Sequence, residues 1–202
     1  MLLAPDMLDL AGPMLARAQE EYGQILWTAD WALMGVLFHG DNPSVRQVPG
    51  MNRVAVVLPM SGADDTDIAT AFLAHEVIHC MYLAGECTPP MIEEGAAVRF
   101  SLIEAAAVSP DFAELLREHQ TTGPEVAHYA EALVAVEWLL KLAPEAIRTL
   151  RAKNPDWKAI TPERIKAVAP QVPAALASVL CEVREMRPDY EREMFLAEEA
   201  RQ

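Results

Sequence analysis

The chain has 202 residues, 52% of them hydrophobic and 23% charged, which suits one folded domain with its own core and excludes a disordered chain. Sixteen Lys and Arg against 30 Asp and Glu leave a formal net charge of −14. That balance argues against nucleic-acid and anionic-membrane partners, which need a basic surface, and tolerates a basic peptide or protein better.

The N-terminus has no basic stretch followed by an apolar run, so no signal peptide is expected. No run of 18 uncharged apolar residues occurs, so no membrane span is expected either. Three cysteines, Cys80, Cys87 and Cys181, are an odd number and do not suggest a disulfide framework. The expected location is the cytoplasm.

In chain order, the first 30 residues read as helical. Residues 15–25 are rich in helix formers, with Gly23 the weak position and Pro13 suited to a first helical turn. Residues 32–39 are an apolar run that ends in the turn cluster Gly40-Asp41-Asn42-Pro43, and they suit a strand. Residues 45–48, then Pro49-Gly50, then residues 53–58 read as a small β segment around a turn. From residue 64 onward every long segment has helical period or composition. Breaks fall at Thr88-Pro89-Pro90, Ser109-Pro110, Thr122-Gly123-Pro124, Ala143-Pro144, Thr161-Pro162 and Val172-Pro173. The expected fold is α+β and mostly α: a β-containing front part over residues 1–60, then a helical part over 61–202, in one domain.

Residues 75–79 read His75-Glu76-Val77-Ile78-His79. Helix positions i and i+4 share a face, so two imidazoles at this spacing can grip one ion. The glutamate beside the first histidine can act as general base toward a metal-activated water. Over residues 68–83 the polar side chains, apart from the Tyr82 hydroxyl, are Thr70, His75, Glu76 and His79. A helix apolar all round is buried, and buried imidazoles and carboxylates need partners; one Zn²⁺ supplies them. Asp64, Asp65, Thr66 and Asp67 suit its N-terminus, and Gly85 its C-terminal end.

A third ligand is expected from the next segment, Pro90-Met91-Ile92-Glu93-Glu94-Gly95-Ala96-Ala97. Periodicity does not choose between Glu93 and Glu94, since both have small and apolar neighbours at helical spacing. Whichever is not the ligand is expected to be a solvated surface carboxylate. Gly95 is expected to let this helix approach the metal helix closely.

HEVIH followed by IEEGAA resembles the gluzincins, zinc metallopeptidases of the thermolysin and aminopeptidase N type. The resemblance implies a zincin-like catalytic core whose third ligand is the Glu of a Glu-Gly pair, here Glu94 before Gly95. Fourteen residues lie between His79 and Glu94, fewer than in large members of that family, which keeps Glu93 open as a ligand. The segment from Tyr129 to Leu139 is similar to the helix on which aminopeptidase-like members carry an oxyanion-stabilising tyrosine. That likeness implies the role for Tyr129, with Ala132 where the family has glycine and His128 as an alternative donor. Of the family's amine-recognition segment only Gly50-Met51-Asn52 remains, so aminopeptidase specificity is not implied. The likeness covers about residues 53–140.

The resulting expectation is a zinc-dependent hydrolase of peptide or related amide bonds, with Zn²⁺ on His75, His79 and Glu94 and with Glu76 and Tyr129 catalytic. The same residues also fit a non-catalytic scaffold that keeps a metal site, or a zinc enzyme with a small-molecule substrate. Cys80 and Cys87 read as core thiols, because about 100° of helix separates Cys80 from His79. His39 and His119 read as solvated, and Trp27, Trp31, Trp138 and Trp157 as core. Residues 174–202 read as a docked amphipathic helix with Leu176, Val179, Leu180, Val183 and Met186 on one stripe.

Overall fold

The computed structural model describes residues 2–25, 32–48, 50–51, 53–82, 88–123 and 126–184. The readings of Trp27, Trp31, Asn52, Gly85, Cys87 and Met186 lie outside these residues. In order, the elements are β1 (Leu2–Leu3), α1 (Pro5–Tyr22), β2 (Ala32–Phe38), β3 (Ser44–Gln47), β4 (Arg53–Leu58), α2 (Thr66–His79) and α3 (Met91–Val108). They continue as α4 (Pro110–Thr121), α5 (Ala127–Leu142), α6 (Ala146–Lys153), α7 (Pro162–Val168) and α8 (Ala174–Cys181). The fold is α+β and mostly α, with the sheet at the front.

The sheet order is β1-β2-β4-β3. After β2 the chain steps past one position to form β3. It then returns as β4, parallel to β2 and antiparallel to β3. Val54, Ala55, Val56, Val57 and Leu58 of β4 are all buried, as befits a strand paired on both sides. Among the described residues, no helix is long and apolar enough to cross a membrane.

Helix α1 takes 18 of the first 30 residues and not all of them, since Leu2–Leu3 pair with β2 as a strand and the helix stops at Tyr22. It starts with Pro5 in the first turn and runs through Pro13, which lies inside the helix rather than at its start. The cost there is a missing backbone donor and the crowding of the ring against the carbonyl one turn earlier, offset by the face that packs Met7, Ala11, Met14, Leu15 and Ala18 inward. Gly23, at φ 93°, ends the helix, since few other residues adopt that conformation. The buried Arg151 guanidinium then ties this end down. It donates to Tyr22 O at 3.0 Å, Gln24 O at 3.1 Å and Pro155 O at 3.2 Å, and stacks 4.2 Å above the Trp157 ring. The bond to Tyr22 O satisfies a carbonyl left open at the helix end.

Helices α2 and α3 form the centre. Helix α2 packs on α1, β4 and α3, and α3 lies between α2 and α5. One core cluster draws on side chains from Ala4 to Leu180. Trp157 is buried, as expected, but Trp138 is 48% exposed. The inward face of α5 is taken by Ala132, Leu133, Ala135, Val136 and Leu139, which leaves Trp138 on the outer side. The C-terminal helix is shorter than its apolar stripe suggests. It stops at Cys181, with Leu176 and Leu180 buried, and Val183 lies beyond it in a single bridge to Pro90.

Candidate metal centre

The first two histidines are placed by a well-capped helix. The Asp65 side chain accepts from Asp67 N at 3.0 Å and Ile68 N at 3.1 Å, which starts α2. The helix ends at His79, the second histidine itself, and not several residues later. Within it Leu73, Ala74, Val77 and Ile78 are fully buried, and His75 and Glu76 are buried beside them. The polar side chains therefore sit in a wall of hydrocarbon.

Helix α3 begins after Pro90, so both of its carboxylates fall in the first turn. The backbone N–H groups of Glu93 and Glu94 reach Pro90 O at 3.0 and 3.1 Å. Both side chains are buried, Glu94 completely. This corrects the expectation that one would be a solvated surface group. Each has found polar company inside, which a buried carboxylate requires.

The ligand atoms converge. His75 Nε2 and His79 Nε2 are 3.2 Å apart. Glu94 Oε1 lies 3.2 Å from His75 Nε2, and its Oε2 lies 3.6 Å from His79 Nε2. The three groups meet within 4.8 Å. Ligands held about 2.1 Å from one ion at tetrahedral angles sit about 3.4 Å apart. Neither Glu94 oxygen makes a hydrogen bond of acceptable geometry, although both are buried. Two imidazole nitrogens and a buried carboxylate without a hydrogen bond, aimed at one point, are a donor set that fits Zn²⁺.

Glu93 does not join that cluster. Its Oε1 lies 2.9 Å from His79 Nδ1, on the other side of the same ring. Burial opposes a charge on His79. The hydrogen bond with Glu93 and the charges of Glu94, Glu93 and Glu76 outweigh it and raise the His79 pKa to about 10. Burial likewise works against ionisation of Glu94, but the two histidines hold its carboxyl below the usual range. Burial raises the Glu76 pKa, with the nearby histidines working the other way.

Gly95 makes a close approach, but against α5 rather than α2. A Cβ there would lie 2.2 Å from Ala132 O and 2.6 Å from Val136 Cγ2. That contact brings α5 to the site. The Tyr129 ring centroid is 5.9 Å from that of His75, edge to face, and the Tyr129 phenol is kept protonated by burial and by the charges of Glu94 and Glu76. His128 stacks on Tyr129 at 3.9 Å, and its buried Nε2 has no hydrogen-bond partner. Cys80 is fully buried, while His39 and His119 are exposed. Sequence reasoning missed the hydrogen bond of Glu93 to His79. The available signal was a second carboxylate on a helix with no polar face.

Compared with known proteins, the chain matches no family model, no curated protein and no solved structure.

Proposed function

We propose that this chain is a zinc-dependent hydrolase acting on peptide or related amide bonds. The observation that carries the reading is the convergence of His75 Nε2, His79 Nε2 and the Glu94 carboxylate, whose oxygens make no hydrogen bond, with Glu76 buried next to His75 in the chain. Bound there, a zinc ion would polarise a carbonyl and bring the pKa of its water to about 7.

The remaining roles belong to the chain. His75, His79 and Glu94 hold the ion. The Glu76 carboxylate takes the proton of the attacking water and delivers it to the leaving amine nitrogen. A site used only for structure has no need of that base. Leu73, Val77 and Ile78 on the same helix are fully buried. The protonated Tyr129 hydroxyl is the donor on α5 for the oxygen that gains charge as the amide carbon becomes tetrahedral. His128, stacked on it, is the other donor of that helix. The likeness of HEVIH, IEEG and the Tyr129 helix to gluzincins points the same way.

Turnover of a peptide mixture by the zinc-loaded chain tests this. It should stop with a chelator, return with zinc, and fall about 10²-fold or more in Glu76→Gln at unchanged zinc content. Zinc binding without turnover would favour the scaffold reading. Turnover of small amides but not peptides would narrow the substrate class.

A further inference from the structure

The adjacent carboxylates of α3 approach one imidazole from two sides. Consecutive helix positions differ by about 100° in direction, so one turn of backbone can send Glu94 to the Nε2 edge of His79 and Glu93 to its Nδ1 edge. We propose that Glu93 is the positioning residue of the metal site, accepting the Nδ1–H of His79 and thereby committing the Nε2 lone pair to the ion. This rests on the metal-site reading above.

The chemistry is that of the ring. A neutral imidazole carries one proton, and only the nitrogen without it can bind a metal. With Nε2 given to the ion, the proton of the ring is on Nδ1, and Glu93 Oε1, 2.9 Å away, is placed to accept it. The same contact stops the ring from swivelling. Ligand histidines held in this way gain basicity as well as orientation.

The position of Glu93 supports a dedicated role. The residue is 8% exposed, so its carboxylate has given up most of its water for this contact. The buried Arg151 gives its bonds to the Tyr22, Gln24 and Pro155 carbonyls, so it offers Glu93 no competing hydrogen bond. His79 Nδ1 therefore keeps the acceptor.

The test uses the full chain as wild type, Glu93→Gln and Glu93→Ala. Zinc affinity is measured by competition with a chromophoric chelator, and helicity by circular dichroism. Long-range proton–nitrogen spectra of the histidine-labelled, zinc-loaded protein report the His79 tautomer. Glu93→Ala should bind zinc about 10–100-fold more weakly and lose the sheltered Nδ1–H resonance. Glu93→Gln, whose amide oxygen still accepts, should lose less and show a shifted resonance. Unchanged affinity and resonance in Glu93→Ala would overturn the positioning role and leave the metal site standing. Complete loss of zinc in a folded Glu93→Ala would make Glu93 a ligand, and would also overturn it. If Glu93→Ala does not fold, the Nδ1–H resonance of Glu93→Gln decides: shifted supports the role, unchanged overturns it. A wild-type chain that takes up no stoichiometric zinc would instead overturn the metal reading itself.

Discussion

Helices α3 and α4 follow each other in the chain with one residue between them, yet a carboxylate means different things on each. Thirteen of the 18 residues of α3 are buried, and none of the 12 in α4. Glu93 and Glu94 on α3 have lost their water and so depend on the histidines of α2. Glu114 and Glu118 on α4 keep theirs. Both helices start with a proline-containing cap and both carry acidic residues in the first turn. The difference is where the chain packs them: α3 is enclosed by α2 and α5, while α4 lies over one side of α3. Burial, and not the presence of carboxylates, marks the helix that carries the candidate site.

The strongest way to break this contrast is to open the enclosure. Gly95→Ala places a methyl group 2.2 Å from Ala132 O, a backbone atom that cannot turn aside. Helix α5 must retreat, and the cost should reach about 3 kcal/mol in chemical denaturation, the upper end for overpacking. Zinc affinity should fall with it. An Ala variant as stable as the parent would mean that α3 is not clamped between its neighbours.

The next effect concerns a single carboxylate. Zinc should stabilise the wild-type chain by about 4 kcal/mol when free zinc exceeds its Kd a thousandfold. In Glu94→Ala that stabilisation should vanish, read as a zinc-dependent shift in melting temperature. Glu114→Ala on α4 is the matched control and should keep the full shift. A Glu94→Ala variant that still responds to zinc would remove Glu94 from the ligand set.

Tyr129→Phe probes the other wall of the enclosure. Removing one oxyanion donor typically costs about 10²–10³ in turnover. Zinc content, melting temperature and KM should stay near the parental values, because the ring still packs with Leu133 and Val98. A parental kcat in this variant would shift the role to His128. The smallest effect is expected on α4 itself. Neutralising Glu114 and Glu118 together should change stability by no more than about 0.5 kcal/mol, measured by urea denaturation. A large loss would show that α4 carries more of the fold than its exposure indicates.

Much of this enclosure is legible in the sequence, and the gaps have physical causes. HEVIH can be read because ligand type and helical spacing are both local. The strand at 53–58 and the caps at Ser109 and Thr161 are local for the same reason. Glu93 and Glu94 could not be separated by periodicity, because a helix buried on every side has no apolar face against which to judge direction. Trp138 was misplaced since a bulky aromatic suits a core, yet small residues had already filled the inner face of α5. Gly95 announced a close approach without naming its partner, which proved to be Ala132. Arg151 gave no signal, because two of its three carbonyl partners lie more than 120 residues earlier in the chain.

By itself, the order of residues determines where helices and strands begin, which helix is hydrocarbon all round, and that two imidazoles lie one turn apart on it. These follow from backbone geometry and capping, which act over a few residues. Tertiary structure alone decides that Glu94 meets both Nε2 atoms while Glu93 takes the Nδ1 of His79, that Gly95 admits α5, and that Tyr129 stands beside His75. Those outcomes depend on how one helix is rotated against another, and a rotation of one residue, about 100°, exchanges the two carboxylates.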